Sequence, residues 1–227
     1  MKLLKEGKTK DVFLNDDGTV TFKFKNTVTG HASSGTMDPG GNQVVGEVAG
    51  VGMNALKVTT YYFELFNKLG IKSHYISSDI KNMSMKVKFC EFFGKGLEFV
   101  VRYVQTGSFV RRYALYAKEG APLKALCEVT LKDDERDDPL ITKESVVALK
   151  LMTAKQYDTT VKLSKQISNV IKDDLKKKGL KLYDIKLEFG LVDDEIVLID
   201  EVSAGNMRAY KGKKKLDYAG LSAEILK

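Results

Sequence analysis

Residues 182–201, LYDIKLEFGLVDDEIVLIDE, place two apolar, β-favouring runs on either side of an Asp-containing turn. That spacing predicts a β-hairpin. Side chains alternate along a strand. Asp184, Lys186 and Glu188 therefore share one face of the first strand, and Ile185, Leu187 and Phe189 share the other. With the turn centred near residue 193, Asp200 is expected opposite Lys186 and diagonal to Glu188. One face is apolar; the other gathers carboxylates and an ammonium. From these residues alone two readings stand. The charged face is a solvated surface with an ion pair, or it is a site for a divalent metal with phosphates.

The bulk of the chain narrows the classes. Its 227 residues are 43% hydrophobic and 30% charged, which suits one or two globular domains. Apolar stretches are short and broken by charge, so no membrane span is expected. Met1–Lys10 is not followed by the apolar segment of a secretory signal. Cys90 and Cys127 make no CxxC, so zinc patterns are excluded and two reduced cysteines in a cytoplasmic chain are expected. His31 and His74 have no catalytic spacing and read as structural or surface residues. A net charge of +7 admits nucleic acid, a membrane surface or phosphorylated small molecules. The lysine runs at 176–178 and 213–215 are not interleaved with aromatics as a single-strand-binding groove would be.

Residues 2–25 read as strand, turn, strand, with Asn15–Gly18 as the turn. Residues 26–53 are Gly-rich, hold Pro39 and show no sustained period, so they read as a long functional or mobile loop. A helix is predicted over Asn54–Leu69 with Gly70 behind it. Strands are predicted over His74–Ile80 and Met85–Phe93, and a β-rich hairpin region through Leu97–Val104. Asp133–Pro139 is a loop, and Thr142 opens a short helix. Thr153 and Gln156 form a capping box for a long helix ending at Gly179. A basic tail follows the 182–201 hairpin. Strands first and mixed elements after them predict an α+β chain.

Gly7-Lys8-Thr9 lacks the first glycine of a Walker A loop, since Lys2 stands there. Gly50-Val51-Gly52-Met53-Asn54-Ala55 fits GxGxxA but has no βαβ unit around it, so it reads as a turn that starts a helix. Lys8 and Lys10 alternate with Gly7 and Thr9 and are expected on one face of the first strand, where an anion would relieve their repulsion. Exposed lysines on an edge strand remain the other reading. Leu97–Val101 is apolar, so Arg102 emerges at the end of a buried strand. Thr106-Gly107-Ser108 then offers hydroxyls and turn amides, which with Arg102, Arg111 and Arg112 make a candidate phosphate cradle.

Taken in order, these pieces resemble the SAICAR synthetase family. Glu6-Gly7-Lys8-Thr9-Lys10 is similar to its GKxK, and Val100-Val101-Arg102 with Thr106-Gly107-Ser108 to its VVR…GS. Asp138-Pro139-Leu140-Ile141 matches DPLI, Asp184–Gly190 matches DxKLEFG, and Asp200-Glu201, Ser203 and Arg208 match DE…S…R. The resemblance implies an α+β fold with a small antiparallel, β-rich, nucleotide-binding lobe at 1–86. A larger α/β, ATP-grasp-like lobe at 87–227 would carry the metal and ribonucleotide sites, with the nucleotide between the two. It implies an ATP-dependent ligase, with Mg²⁺, that joins L-aspartate to the carboxylate of carboxyaminoimidazole ribonucleotide (CAIR) through a carboxyl phosphate.

The resemblance also assigns roles. Gly7, Lys8, Lys10, Val12, Met85, Lys86, Lys132, Glu188 and Asp200 would line the ATP site, with Glu188 and Asp200 as metal ligands. Arg102, Ser108, Arg208 and Lys186 would bind the ribonucleotide, and Lys186, Asp184 and Asp200 would lie at the chemistry. Partners would be small molecules, with no nucleic acid and no membrane; many family members are dimers, so a homodimer is expected. The chain departs from the family at Tyr103, where Asn is usual. It departs again at Ala204-Gly205, where the family has Pro-Asp, and in segment 26–53. Segments 26–53 and 203–207 are where the amine substrate would be recognised. The alternatives are a related ligase with a different amine or acid, and a basic nucleic-acid-binding protein. A kinase-like phosphotransferase would need an HRD-like segment, which is absent.

Overall fold

The computed structural model describes residues 1–31, 36–38, 41 and 43–227, with only the backbone described at His31, Thr36 and Met37. Strands β1 (Lys2–Glu6), β2 (Lys10–Leu14) and β3 (Val20–Phe24) form a meander. The expected single hairpin over 2–25 is therefore two hairpins. Gly7-Lys8-Thr9 is the first turn rather than part of a strand, and a Cβ at Gly7 would sit 2.2 Å from the Lys10 carbonyl oxygen. That close approach needs glycine, and it undoes the alternation expected of Lys8 and Lys10.

The described parts of segment 26–53 hold three paired strands, β4 (Thr27–His31), β5 (Thr36–Met37) and β6 (Gln43–Glu47), ordered β5-β4-β6. The featureless loop expected there is corrected to this small sheet. The His31 side chain lies outside the described residues. Helix α1 (Val51–Lys68) starts three residues before its predicted start, after Gly50 at φ 82°, and Gly70 at φ 72° follows it. Gly52 lets the helix approach β3, since a Cβ there would lie 2.5 Å from the Lys25 carbonyl oxygen.

Strands β7 (Tyr75–Asp79) and β8 (Ser84–Val87) complete the first sheet, ordered β1-β2-β3-β8-β7. The strand predicted over 85–93 is split into β8 and the short β9 (Glu91–Phe92), which belongs to another sheet. That larger sheet is built on β10 (Leu97–Val104), a single strand where a hairpin region is expected, followed by α2 (Ser108–Arg112) and β11 (Pro122–Leu131). Helices α3 (Lys143–Ala148) and α4 (Ala154–Lys177) come next, and the Thr153–Gln156 capping box of α4 is formed on both sides. β12 (Lys181–Val192) and β13 (Glu195–Ile199) are the predicted hairpin, turning at Asp193 and Asp194 with φ 51° and 61°. In place of a basic tail come β14 (Met207–Lys211), β15 (Lys214–Lys215) and α5 (Tyr218–Ile225), which packs on α1. The large sheet runs β11-β10-β12-β14-β15, with β13 and β9 paired to β12.

α4 covers one face of this sheet. Ile167, Ile171 and Leu175 of α4 are fully buried, as are Phe99, Val101, Ile185 and Leu187 beneath it. Phe99 meets Phe189 edge-on at 5.5 Å. The apolar half of the hairpin pattern thus becomes the core, which leaves the charged half facing away from the helix.

Candidate active site

Register decides what stands beside what on the charged face. Arg102 of β10 pairs across the strands with Asp184 of β12, and Asp184 pairs on its other side with Arg208 of β14. One carboxylate is thereby held between two guanidiniums: Oδ2 of Asp184 accepts from Arg102 Nη1 at 2.8 Å and from Arg208 Nη1 at 2.7 Å. Arg102, 2% exposed, also donates through Nε to Glu128 at 2.6 Å and through Nη2 to the Ser108 hydroxyl at 2.8 Å. Arg112 holds Glu128 as well, at 2.8 Å. The Thr106–Ser108 turn and Arg102 come together as expected, but Arg102 is also the hub of a buried ion-pair network. Arg208 reaches Asp38, at 2.7 Å, out of the segment between β5 and β6.

A second row crosses the sheet four residues further along. Thr130, Glu98 and Glu188 are direct cross-strand neighbours. Like charges directly opposite one another are destabilising, and two lysines relieve them. Lys186 Nζ lies 2.5 Å from Glu98 Oε1, and Lys132 Nζ donates to both oxygens of Glu188 at 2.7 Å. Burial lowers the Lys186 pKa, but Glu98 and Glu188 outweigh it and hold the ammonium protonated. Lys132 is raised by Glu188 and Asp200 against the same burial.

Asp200 reaches this row by a different route from the one expected. The hairpin pairs Glu188 with Ile199 and Phe189 with Leu198, one residue off the anticipated register. A one-residue slip sends alternate side chains to the opposite face, so strict alternation would bury Asp200 with Leu198. Instead the strand ends at Ile199, and Asp200 takes φ 69°. Its carboxylate then meets Lys10 Nζ at 2.8 Å. Burial raises the Asp200 pKa, yet Lys10, Lys132 and Lys186 together hold it well below the usual carboxylate range. Lys10 also binds Glu201 at 2.8 Å and is held protonated by both acids against its burial.

Lys8 leaves the turn in another direction, to Asp134 at 2.7 Å. Met85 is fully buried in the core, Val12 packs against that core, and Lys86 pairs on the surface with Asp17 at 2.7 Å. Gly7 contributes its carbonyl to Lys25 at 3.0 Å. The site residues missed from the sequence are Glu98 and Glu128, and Glu201, matched there as part of the Asp200-Glu201 pair, gains a role as the second acid on Lys10. Glu98 carried a signal: it shares strand parity with Arg102 inside an otherwise apolar run.

A cleft with a cavity volume of about 70 Å³ opens over this face, lined by Glu98, Arg102, Ser108, Asp138, Lys186 and Arg208 among others. Burial raises the Asp138 pKa above its ordinary value. Two carboxylates such as Glu188 and Asp200, here paired with Lys132 and Lys10, make no closed cage, and Mg²⁺ in general takes one or two carboxylates together with nucleotide phosphates. Among the described residues, no three His, Cys, Asp or Glu side chains could hold a metal ion by themselves.

Buried cations interleaved with carboxylates over one sheet face define the class first: a protein that takes up multiply anionic, phosphate-bearing small molecules. The comparisons carry this to a family. A family model for SAICAR synthetase matches residues 3–224. A phosphoribosylaminoimidazole-succinocarboxamide synthase of Clostridium tetani is 49% identical over 228 residues, covering all of both chains. A solved SAICAR synthetase in complex with ADP is 28% identical with a TM-score of 0.85, covering 97% of this chain and 96% of that one. The synthase of Ehrlichia chaffeensis is 25% identical with a TM-score of 0.86 over 99% and 98% of the two chains. The chain belongs to the SAICAR synthetase family, whose members are ATP-dependent ligases of purine biosynthesis.

Proposed function

We propose that this chain uses ATP and Mg²⁺ to join L-aspartate to the carboxylate of CAIR, giving SAICAR, ADP and phosphate, in the cytoplasm. The observation that carries the reading is one sheet face with two anion-handling ends joined through Lys186. At one end, Lys10, Lys132, Glu188 and Asp200 meet; at the other, Arg102, Ser108 and Arg208 line the cleft. The nucleotide then lies between a lobe at 1–86 and a lobe at 87–227. Gly7, Lys8, Lys10, Val12, Met85 and Lys86 of the first and Lys132, Glu188 and Asp200 of the second line its site. Glu188 and Asp200 would hold Mg²⁺, which supplies charge neutralisation at the nucleotide phosphates.

The CAIR carboxylate attacks the γ-phosphorus of ATP, releasing ADP and leaving a carboxyl phosphate. The aspartate amine then attacks that carbonyl carbon, loses a proton and expels phosphate. Such chemistry is mostly positioning and charge compensation. Lys186, held protonated in the middle of the cleft, compensates the CAIR carboxylate as it approaches the triphosphate, while Arg102, Ser108 and Arg208 bind the ribose phosphate. Asp184 fixes both arginines in place. Homodimer assembly is part of this proposal, and a single monomeric species in sedimentation at micromolar concentration would remove that part.

The test is ADP release from ATP and CAIR, with and without aspartate and against a panel of other amines. Aspartate-dependent release of one ADP per SAICAR is expected. Release that another amine supports and aspartate does not would replace the amine; no release with CAIR would overturn the reading.

A further inference from the structure

His74 was expected to be a structural or surface histidine, and its surroundings give it a more specific task. Its ring is 2% exposed and packs against Phe22 and Phe63, each with its centroid 5.6 Å away. Nε2 lies 3.2 Å from the Asp200 carbonyl oxygen. A carbonyl only accepts, so the ring must donate there as the Nε2–H tautomer. The backbone of the same segment grips the strand leading to Asp200. His74 N donates to Leu198 O at 3.0 Å, Leu198 N donates to Lys72 O at 3.1 Å, and Ser73 bridges Leu198 in parallel. Lys88 N closes the other side by donating to His74 O at 2.7 Å.

This contact falls at the one residue whose backbone must leave the strand. Asp200 adopts φ 69°, a left-handed conformation that most non-glycine residues avoid and that aspartate tolerates better than most, so a partner on its carbonyl helps to fix it there. That turn is what takes its carboxylate off the packed face and onto Lys10.

We infer that His74 is a positioning residue for the nucleotide end of the cleft: its Nε2–H, donated to the Asp200 carbonyl, holds the left-handed peptide that aims the Asp200 carboxylate at Lys10. The inference rests on the ligase reading above for what Asp200 does, but not for the geometry itself. His74 touches neither substrate nor reacting atoms. Its effect passes through Asp200.

The test compares His74→Gln, which keeps an N–H near the Nε2 position, with His74→Phe, which keeps a ring and loses the donor. Two readouts are taken: Mg²⁺–ADP binding by calorimetry, and the steady-state constants for ATP and CAIR. His74→Phe is expected to weaken Mg²⁺–ADP binding and lower kcat/KM for ATP by roughly tenfold or more, the usual cost of losing a supporting partner. KM for CAIR is expected to stay within about twofold, and His74→Gln to stay within about threefold of the parent in every constant. Equal losses in both variants would mean that packing, not the donated hydrogen bond, matters, and would overturn the inference. So would an unchanged His74→Phe. If the parent turns over no CAIR, the ligase reading fails while the binding arm still decides this one. If His74→Phe does not fold, long-range ¹H–¹⁵N spectra of the parent decide: a neutral Nε2–H ring at pH 7 is expected, and an Nδ1–H ring would overturn the proposal.

Discussion

The central charges of the active face are held by counter-charges from other elements, so single substitutions there act twice. Lys186→Ala is expected to lower turnover by about 10³-fold, because among the described residues Lys186 is the lysine that lines the cleft. It also leaves Glu98, 3% exposed, without its cation. Breaking a buried pair from one side costs about 3 kcal/mol, so urea unfolding should show a loss of that order. Lys186→Ala with Glu98→Gln should recover most of the stability and none of the activity; recovery of turnover would remove Lys186 from the chemistry. His74 adds a pH dependence. Burial lowers its pKa from 6.5 to about 4, with Asp200 opposing the shift only in part. The unfolded chain therefore binds this proton more readily. The stabilisation is complete above pH ~6.5 and drains away as pH falls toward 4, by about 3 kcal/mol in all. Unfolding free energies of the parent and His74→Gln at several pH values isolate it: the difference between them should shrink over that window, and a constant difference would contradict it.

Among elements, the glycines that bring backbone close to other groups are the sharpest tests. Gly107 has φ 57° and ψ −132°, and a Cβ there would lie 2.6 Å from the Arg208 guanidinium. Gly107→Ala is expected to raise KM for CAIR by about tenfold with KM for ATP unmoved, because that guanidinium is already locked by Asp184 and Asp38. Gly52→Ala is expected to cost about 2 kcal/mol in thermal unfolding, since α1 must back away from the Lys25 carbonyl. Elements whose signals are local were legible in the sequence. The Thr153–Gln156 capping box, the β12–β13 hairpin and the buried start of β10 each follow from spacing within about twenty residues, whereas the hairpin expected over Leu97–Val104 is a single strand. β11 was not legible: PLKALCEVTL does not alternate cleanly, and Ala125 at φ 49° sits where its pairing with β10 shifts register. The Asp200 position was reached from a register off by one, and a left-handed aspartate at the end of β13 supplied the turn. Glu128 and Glu201 acquire their roles only through strand order and tertiary contact, so no local pattern could assign their partners.

At the scale of the whole molecule, the first sheet and the large sheet meet through polar as well as apolar contacts beside the cleft. Lys10 of β2 pairs with Asp200 and Glu201 beyond β13, Lys8 pairs with Asp134, and the 72–74 segment bonds to β13. A nucleotide bound between the two sheets would engage Lys10 and Lys132 from opposite sides and link the unfolding of one sheet to the other. Saturating Mg²⁺–ADP at about a hundred times its Kd contributes about 2.7 kcal/mol, which for a chain of this size is roughly 5–10 °C in Tm. Calorimetry should therefore show one transition that moves up as a unit with ligand. Lys10→Met should abolish most of the shift while Lys86→Met, whose ammonium lies on the surface against Asp17, should reduce it far less. A ligand that raises one of two resolved transitions and leaves the other in place would put the nucleotide on a single sheet and detach the cleft from the junction between them.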